Sequence, residues 1–463
     1  MSVSVSVSLK VCIGIAVVGL LVGTPQARSE DLYTIYQRAI DNDHEYRAAR
    51  AAYEAGKESA ALGRAGLLPK INAQASLQES TSDVDGDAAS PLGRPLPYTN
   101  DTSGTQVSVS LTQPLFDLSA WYDYRAGKAG VDAAEAQFHL AEQNLVLRTA
   151  RAYFAVLEAA DNLQTAMAEE EALTQQLEQS RQRFNVGLSA ITEVHESQAA
   201  YDSAVAARLV AEGQVGVSFE ALEVLTGQSY REVSALSPQF EVKPPEPQAR
   251  EDWVERALKA NANIAAARAQ VAAAEQSAKS AKAKHLPTLA LTGNYSTSDE
   301  SSEFSPGNTS NDSNVDRQVI GLTLNLPIFN GGAVSAGRRR AQQLAEQNRE
   351  QWLKTQRDVV QATRSLHLSV VTSAATIRAR KQAIVSNESA VEATQAGYEV
   401  GTRDLVDVLN AQRGLFQARR DYASTLYDYI LRSLELKQVS GQLSGEDLAK
   451  LNAWLSDQKS VRK

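Results

Sequence analysis

From Phe116 to Gly187 the chain runs without a proline, and its only interior glycines are Gly127 and Gly130. The stretch is rich in Ala, Glu, Gln, Leu and Arg, the residues that lose least on entering a helix. As one helix of roughly 68 residues it would extend about 100 Å at 1.5 Å per residue, far beyond the width of a globular core. Residues 332–400 repeat the pattern. Helices of that length bury surface only by packing side by side as coiled coil. Leu145, Tyr153, Leu157, Leu163, Leu173 and Leu177 supply the apolar positions, among small alanines that permit close approach.

The repetition extends through the chain. "FNVGLSAITEVHESQ" (184–198) aligns without gaps onto "YEVGTRDLVDVLNAQ" (398–412), and the match continues to "LTGQ" at 228 and "VSGQ" at 442. Upstream, "AARAA" (48–52) matches "AARAQ" (266–270), Pro69 matches Pro287, and "LTQPLFD" (111–117) matches "LNLPIFN" (324–330). The expected organisation is a first repeat over 30–236, a Pro-rich linker over 237–250, a second repeat over 251–443, and a short helix with a tail over 444–463. Long helices are expected at 118–186 and 332–400, followed across each Val-Gly turn by helices at 189–227 and 403–440. Gly187 and Gly401 let the chain turn at positive φ. Thr402 is expected to cap the following helix, with Asp404 in its first turn.

Between the helices the period changes to two. Val107, Val109 and Leu111 alternate with Ser108, Ser110 and Thr112; Ile71, Ala73, Ala75 and Leu77 alternate with amides and hydroxyls; Ile320, Leu322, Leu324 and Leu326 share one face. Strands follow at 70–80, 104–114, 287–298 and 317–327, each about the length of a membrane-crossing strand. Turn segments rich in Asp, Ser, Asn and Gly are expected at 80–103 and 297–316. An aliphatic face opposite an uncharged polar one suits a lipid-facing barrel with a wet lumen; a half-exposed soluble sheet alternates in the same way. Four strands cannot close a barrel, and open edges are not tolerated in lipid. Closure would have to be shared: two chains give eight strands, three give twelve.

Residues 1–29 read as a secretory leader, with Lys10, an apolar run from Val11 to Val22, and Ala27 and Ser29 before a mature start at Glu30. The one cysteine, Cys12, falls inside the leader, so disulfides and thiolate metal sites are excluded from the mature chain. A net charge of −9 without a long basic run argues against nucleic-acid binding. Five scattered histidines, at 44, 139, 195, 285 and 367, have no metal-ligand spacing, and the acids form no recognisable catalytic constellation. Gly56-Lys57 and Gly127-Lys128 lack the rest of a phosphate-binding loop. Neither an enzyme nor a bound cofactor is expected. A soluble periplasmic coiled-coil scaffold or adaptor is the alternative to a membrane conduit; it would share the helices but need no strands with aliphatic faces.

The Val-Gly pair "FNVGLSAITEV" and "YEVGTRDLVDVL", the strand ends "QPLFD" and "LPIFNGG", and the duplication itself resemble the TolC family of outer-membrane efflux and type I secretion channels. The resemblance spans the mature chain to about Trp454. It implies a homotrimer in the outer membrane of a Gram-negative bacterium. The fold would be membrane α+β: four strands per chain in a shared twelve-stranded barrel, and coiled-coil helices forming a periplasmic α-barrel that closes at its tips. It implies partners, a periplasmic adaptor and an inner-membrane transporter, with docking at Val186, Gly187, Leu188, Val400, Gly401 and Thr402. Motif by motif, the resemblance places a gate latch on Thr192, Glu193, Tyr398 and Arg403, with Glu193 where the family usually has Asp. It places the pore constriction at Asp407 and Asn410. Asn410 departs from the family's acid, so a trimer would carry three carboxylates there rather than six.

Overall fold

The computed structural model describes residues 30–84, 98–305 and 309–462; the expected leader lies outside them. Helices α1 (Leu32–Asn42) and α2 (His44–Ala65) lead into strand β1 (Lys70–Val84), and β2 (Tyr98–Phe116) leads out into α3 (Leu118–Asn185). A tight turn joins α3 to α4 (Ile191–Thr226), and a short strand β3 (Glu232–Leu236) follows. The second half repeats the order with α5 (Arg250–Ala260), α6 (Ala262–Ala283), β4 (Thr288–Ser305), β5 (Thr309–Asn325), α7 (Ala333–Glu399) and α8 (Leu405–Val439). Helix α9 (Gly445–Asn452) and strand β6 (Leu455–Arg462) end the described chain. The duplication reaches the helix breaks. Asp43 stops α1 and caps α2 by accepting from Tyr46 N at 2.6 Å; Asn261, at the same offset as the matched prolines, stops α5 and caps α6 by accepting from Ile264 N at 3.1 Å.

The four long strands form one antiparallel sheet in the order β1-β2-β4-β5, leaving β1 and β5 as open edges. Register carries the alternation across the sheet. Ile71 pairs with Leu111, Leu111 with Gly293 and Gly293 with Ile320; Leu291 pairs with Leu322. The apolar residues therefore share one face, while Asn72, Ser110 and Asn294 line up on the other.

The strands overrun the expected bounds. Where the segments expected as turns, 80–103 and 297–316, are described, they are ladder: Ser80 to Val84 pair with Thr102 to Tyr98, and Ser298 to Phe304 pair with Val315 to Thr309. Past the lipid both faces are wet, so alternation disappears although the backbone still pairs. The expected strand end at 327 is also corrected, because β5 stops at Asn325. The tail expected after the short helix is strand β6, which pairs with β3. Strand β3 is only five residues long and β6 does not alternate, and their pairing spans more than 200 residues.

The largest core lies around the middle of α3. Tyr153, Phe154 and Leu157 meet Phe219 and Leu222 of α4, Ile430 and Leu434 of α8, and Leu32, Val233 and Leu448. The Pro-rich linker lies over this belt. Trp253 Nε1 donates to Pro247 O at 2.8 Å, and Phe240 packs edge-on against Trp454. Towards the tips the helices lie in the order α4-α3-α8-α7, and α4 scarcely touches α8. Charge pairs tie neighbours in this layer: Arg208 to Glu170 (2.5 Å), Arg420 to Glu169 (2.7 Å) and Arg419 to Glu388 (2.9 Å). Helix α4 is an open edge like β1. Val210, Val217 and Val224 keep an exposed stripe at seven-residue spacing, the pattern a further helix would fill. Among the described residues, no helix is long and apolar enough to cross a membrane.

Candidate functional site: the paired helical tips

Both long helices end in the same way. Val186 and Val400 are the C-caps, and Gly187 (φ 76°) and Gly401 (φ 77°) take the left-handed conformation beyond them. In the first turn Leu188 N donates to Arg183 O (2.8 Å) and Gly187 N to Phe184 O (2.9 Å). In the second, Thr402 N donates to Gly397 O (2.8 Å) and Gly401 N to Tyr398 O (3.1 Å). These are two Schellman caps, which satisfy the last carbonyls of a helix while reversing the chain. Val186 (70 % exposed), Leu188 (69 %) and Val400 (75 %) stand in solvent at the tips.

The helices leaving the tips differ from expectation. Asp404, not Thr402, caps α8, accepting from Asp407 N at 2.9 Å. Thr402 Oγ1 instead donates back to Gly397 O at 3.1 Å. The carboxylate wins because Asp404 sits immediately before the first helical residue, within reach of the free N–H groups. Helix α4 starts at Ile191 with no side-chain cap.

Tyr398 joins the two hairpins. Its ring is buried among Leu173, Ala204, Leu405, Val408 and Leu409, and its hydroxyl donates to Glu193 Oε2 at 2.7 Å. The Arg183 guanidinium lies over the ring, 4.8 Å from its centroid. Burial first, and then the Glu193 carboxylate, push the Tyr398 phenol up to about 12. It therefore stays a neutral donor through the physiological range. Two more hydroxyls hold the first hairpin together beneath it, Ser180 Oγ and Ser197 Oγ at 2.9 Å, both buried.

Arg403 does not reach Glu193 or Thr192. Its Nη1 donates to Asp407 Oδ2 at 3.3 Å within the second hairpin, and both side chains are exposed enough for water to screen the pair. Thr192 is exposed. Asn410 Oδ1 accepts from Arg413 Nη1 at 3.3 Å. Of the expected latch residues the chain thus brings Tyr398 and Glu193 together, and directs Arg403 to Asp407.

The duplication explains both outcomes. Phe184 and Asp407 occupy the positions corresponding to Tyr398 and Glu193. Phe184 has no hydroxyl, so the reciprocal bond cannot form and only one of the two symmetric contacts exists. Arg183 corresponds to Gly397, and Ser189 to Arg403. A Cβ on Gly397 would lie 2.8 Å from Arg403 Cγ. The second copy therefore moves its arginine across the turn and keeps glycine where that side chain lies. Sequence reasoning missed Arg183 and Ser180; comparing the two copies position by position would have singled out Arg183.

Among the described residues no group of His, Cys, Asp or Glu is placed to hold a metal ion. The outer membrane efflux protein family matches residues 35–228 and again 253–442, once in each half. The chain is similar to the outer membrane protein TolC of Vibrio cholerae, 34% identical over 427 residues, covering 92% of this chain and 94% of that one. It is equally similar to TolC of Escherichia coli, at 34% over 453 residues, 97% of this chain and 89% of that one. The alkaline protease secretion protein AprF of Pseudomonas aeruginosa is 30% identical over 416 residues, 89% and 85% of the two chains. The crystal structure of the Campylobacter jejuni CmeC outer membrane channel superposes with a TM-score of 0.76 at 18% identity, covering 92% of this chain and 90% of that one. With the same family in both halves, and a third of its residues shared with relatives along almost its whole length, the chain belongs to the TolC family of outer membrane efflux proteins and is a non-enzymatic efflux and secretion channel of the Gram-negative outer membrane.

Proposed function

We propose that three copies form the exit duct of a tripartite efflux or type I secretion assembly, exporting small molecules, proteins or both. The duct is gated where the second hairpin leans on the first. A homotrimer is what the family implies. The observation that carries the gating reading is the bond from Tyr398 to Glu193, which joins the two hairpins beside their tips. Duplication would supply two such bonds, and the absent one leaves the hairpins unequal, as an iris with one moving element requires. A periplasmic adaptor docks on the exposed tips at Val186, Gly187, Leu188, Val400, Gly401 and Thr402. An inner-membrane transporter supplies the energy, since no nucleotide-binding motif is recognised in this chain.

The constriction lies at Asp407 and Asn410. Three Asp407 carboxylates favour cations, and each Arg403 beside them offsets part of that charge. Purified trimers in planar bilayers test this reading. They should conduct poorly at rest and select cations. Asp407→Ala should lower the cation preference without opening the channel, whereas Arg403→Ser should raise it. Unchanged selectivity in both variants would place the constriction elsewhere.

The barrel face gives a second test. Val109 and Leu322 lie on the aliphatic face and Ser110 on the polar one. A cation on a lipid face costs about 2–4 kcal/mol at mid-membrane. Val109→Arg and Leu322→Arg should therefore reduce trimers in outer-membrane fractions, and Ser110→Arg should not. Equal assembly of all three would contradict the face assignment.

A further inference from the structure

Four helices meet the sheet at one end. Helix α2 runs into β1, α6 into β4, β2 into α3 and β5 into α7. Gln113 Nε2 donates to Leu67 O at 3.1 Å and ties two of these junctions together. The apolar strand face begins at this end, so it is the periplasmic edge of the membrane segment. Leu115, Phe116, Trp121, Ile328 and Phe329 are all exposed there, as side chains at a membrane–water interface are.

Next to this apolar rim three junctions carry cations and no acid. Arg64 and Lys70 lie in an acid-free stretch between Glu58 and Glu79. Lys279, Lys282 and Lys284 lie between Glu275 and Asp299. Arg338, Arg339 and Arg340 lie between Asp316 and Glu346. The chain as a whole carries −9, so the excess at the rim is local. All eight side chains are exposed. None makes an ion pair among the described residues, whereas arginines lower on the shaft, such as Arg419 and Arg420, are paired.

Helix dipoles account for part of this, since Arg64 and Lys282 end α2 and α6. They do not account for α7, where three adjacent arginines stand in the second turn from a helix N-terminus, the end that favours acids. Three consecutive helical positions span about 200°, so at least one arginine points away from the lumen whichever way α7 is turned. Arg338 is about 8 Å along the helix from its start, which puts it at headgroup depth beneath the apolar rim.

We propose that this basic collar binds the phosphate headgroups of anionic phospholipids in the periplasmic leaflet, anchoring the barrel at a fixed depth. Surface cations within a Debye length of a membrane are drawn to anionic lipid. Arginine in addition forks onto phosphate oxygens.

Trp121 is a built-in reporter. It is exposed at the rim, while Trp253, Trp352 and Trp454 lie in the helical shaft and belt. Trimers reconstituted in phosphatidylcholine vesicles containing either brominated phosphatidylglycerol or brominated phosphatidylcholine, at equal mole fraction, should show Trp121 quenched more strongly by the anionic lipid. The expected preference is about threefold or more at low salt, falling towards unity at high salt. Exchanging Lys279, Lys282, Lys284, Arg338, Arg339 and Arg340 for Gln should abolish it. Arg349→Gln with Arg357→Gln and Arg378→Gln, lower on the shaft, should leave it intact. Equal quenching of the native trimer by both lipids would overturn the proposal, as would a retained preference in the six-site variant or an equal loss in the shaft control. If the six-site variant does not trimerise, the native protein's lipid preference and its salt dependence decide the matter.

Discussion

Tyr398→Phe is expected to raise the open population of the trimer on the order of a thousandfold. The substitution keeps the ring in its pocket of Leu173, Leu405 and Val408 and removes only the hydroxyl that donates to Glu193. A hydrogen bond to a charged acceptor contributes about 1.5–3 kcal/mol. The lower figure applies here, because Glu193 is only partly buried and regains water. In a concerted threefold iris, about 1.5 kcal/mol per protomer becomes about 4.5, which shifts a two-state equilibrium by roughly three powers of ten. Glu193→Gln should open the channel less, since the amide oxygen still accepts. Arg403→Ser alone should alter selectivity more than opening, because its partner is Asp407 within the same hairpin. The phenol's proton is held more tightly in the folded protein than in the unfolded chain, so its contribution is complete below about 10 and is lost only as pH rises through about 12. Closure should accordingly survive a change from neutral pH to about 9. Single-channel conductance of purified trimers measures all of this. A Tyr398→Phe trimer with native resting conductance would dispose of the latch.

Gly187→Asp and Gly401→Asp are each expected to reduce export to the level of cells lacking the channel, with trimers still in the outer membrane. Both glycines hold left-handed backbone, and nothing lies within 4 Å of the place a Cβ would take. No clash arises; the added side chain strains the turn by about 1–2 kcal/mol. That is too little to unfold helices of this length, and it is spent on the surface offered to an adaptor. The carboxylate also places charge between the exposed Val186 and Leu188, or beside Val400. Gly401→Asn is the control, since Asn tolerates left-handed backbone without adding charge; it should retain most export. Susceptibility to exported toxic compounds, alongside outer-membrane trimer levels, separates docking from assembly. Full export by both Asp variants would remove the tips from the mechanism.

Much of this protein could be read directly from its residues. The long helices follow from proline-free, alanine-rich runs, and the strands from alternation at Val107–Leu111 and Ile320–Leu324, because burial on one face imposes a period on sequence. Gly187 and Gly401 mark the tips, because left-handed backbone selects glycine. The polar strand ends lost their signal, since wet ladder on both faces imposes no period. Thr402 is expected to cap α8 with Asp404 in its first turn, but the backbone starts the helix one residue after Asp404 and gives the cap to that carboxylate.

What sequence determined by itself was the long helices, the four long strands and the duplicated order in which they come; those are local properties, fixed by propensity, period and turn chemistry, whereas the short β3–β6 pair was not among them. Only the tertiary structure decided which side chains meet. Tyr398 and Glu193 are 205 positions apart, and whether Arg403 turns to Glu193 or to Asp407 depends on how one helical hairpin is set against the other. That setting comes from packing at Leu173, Ala204, Leu405 and Val408. Each of these is an ordinary apolar helix residue, so nothing in its identity states which partner it will face.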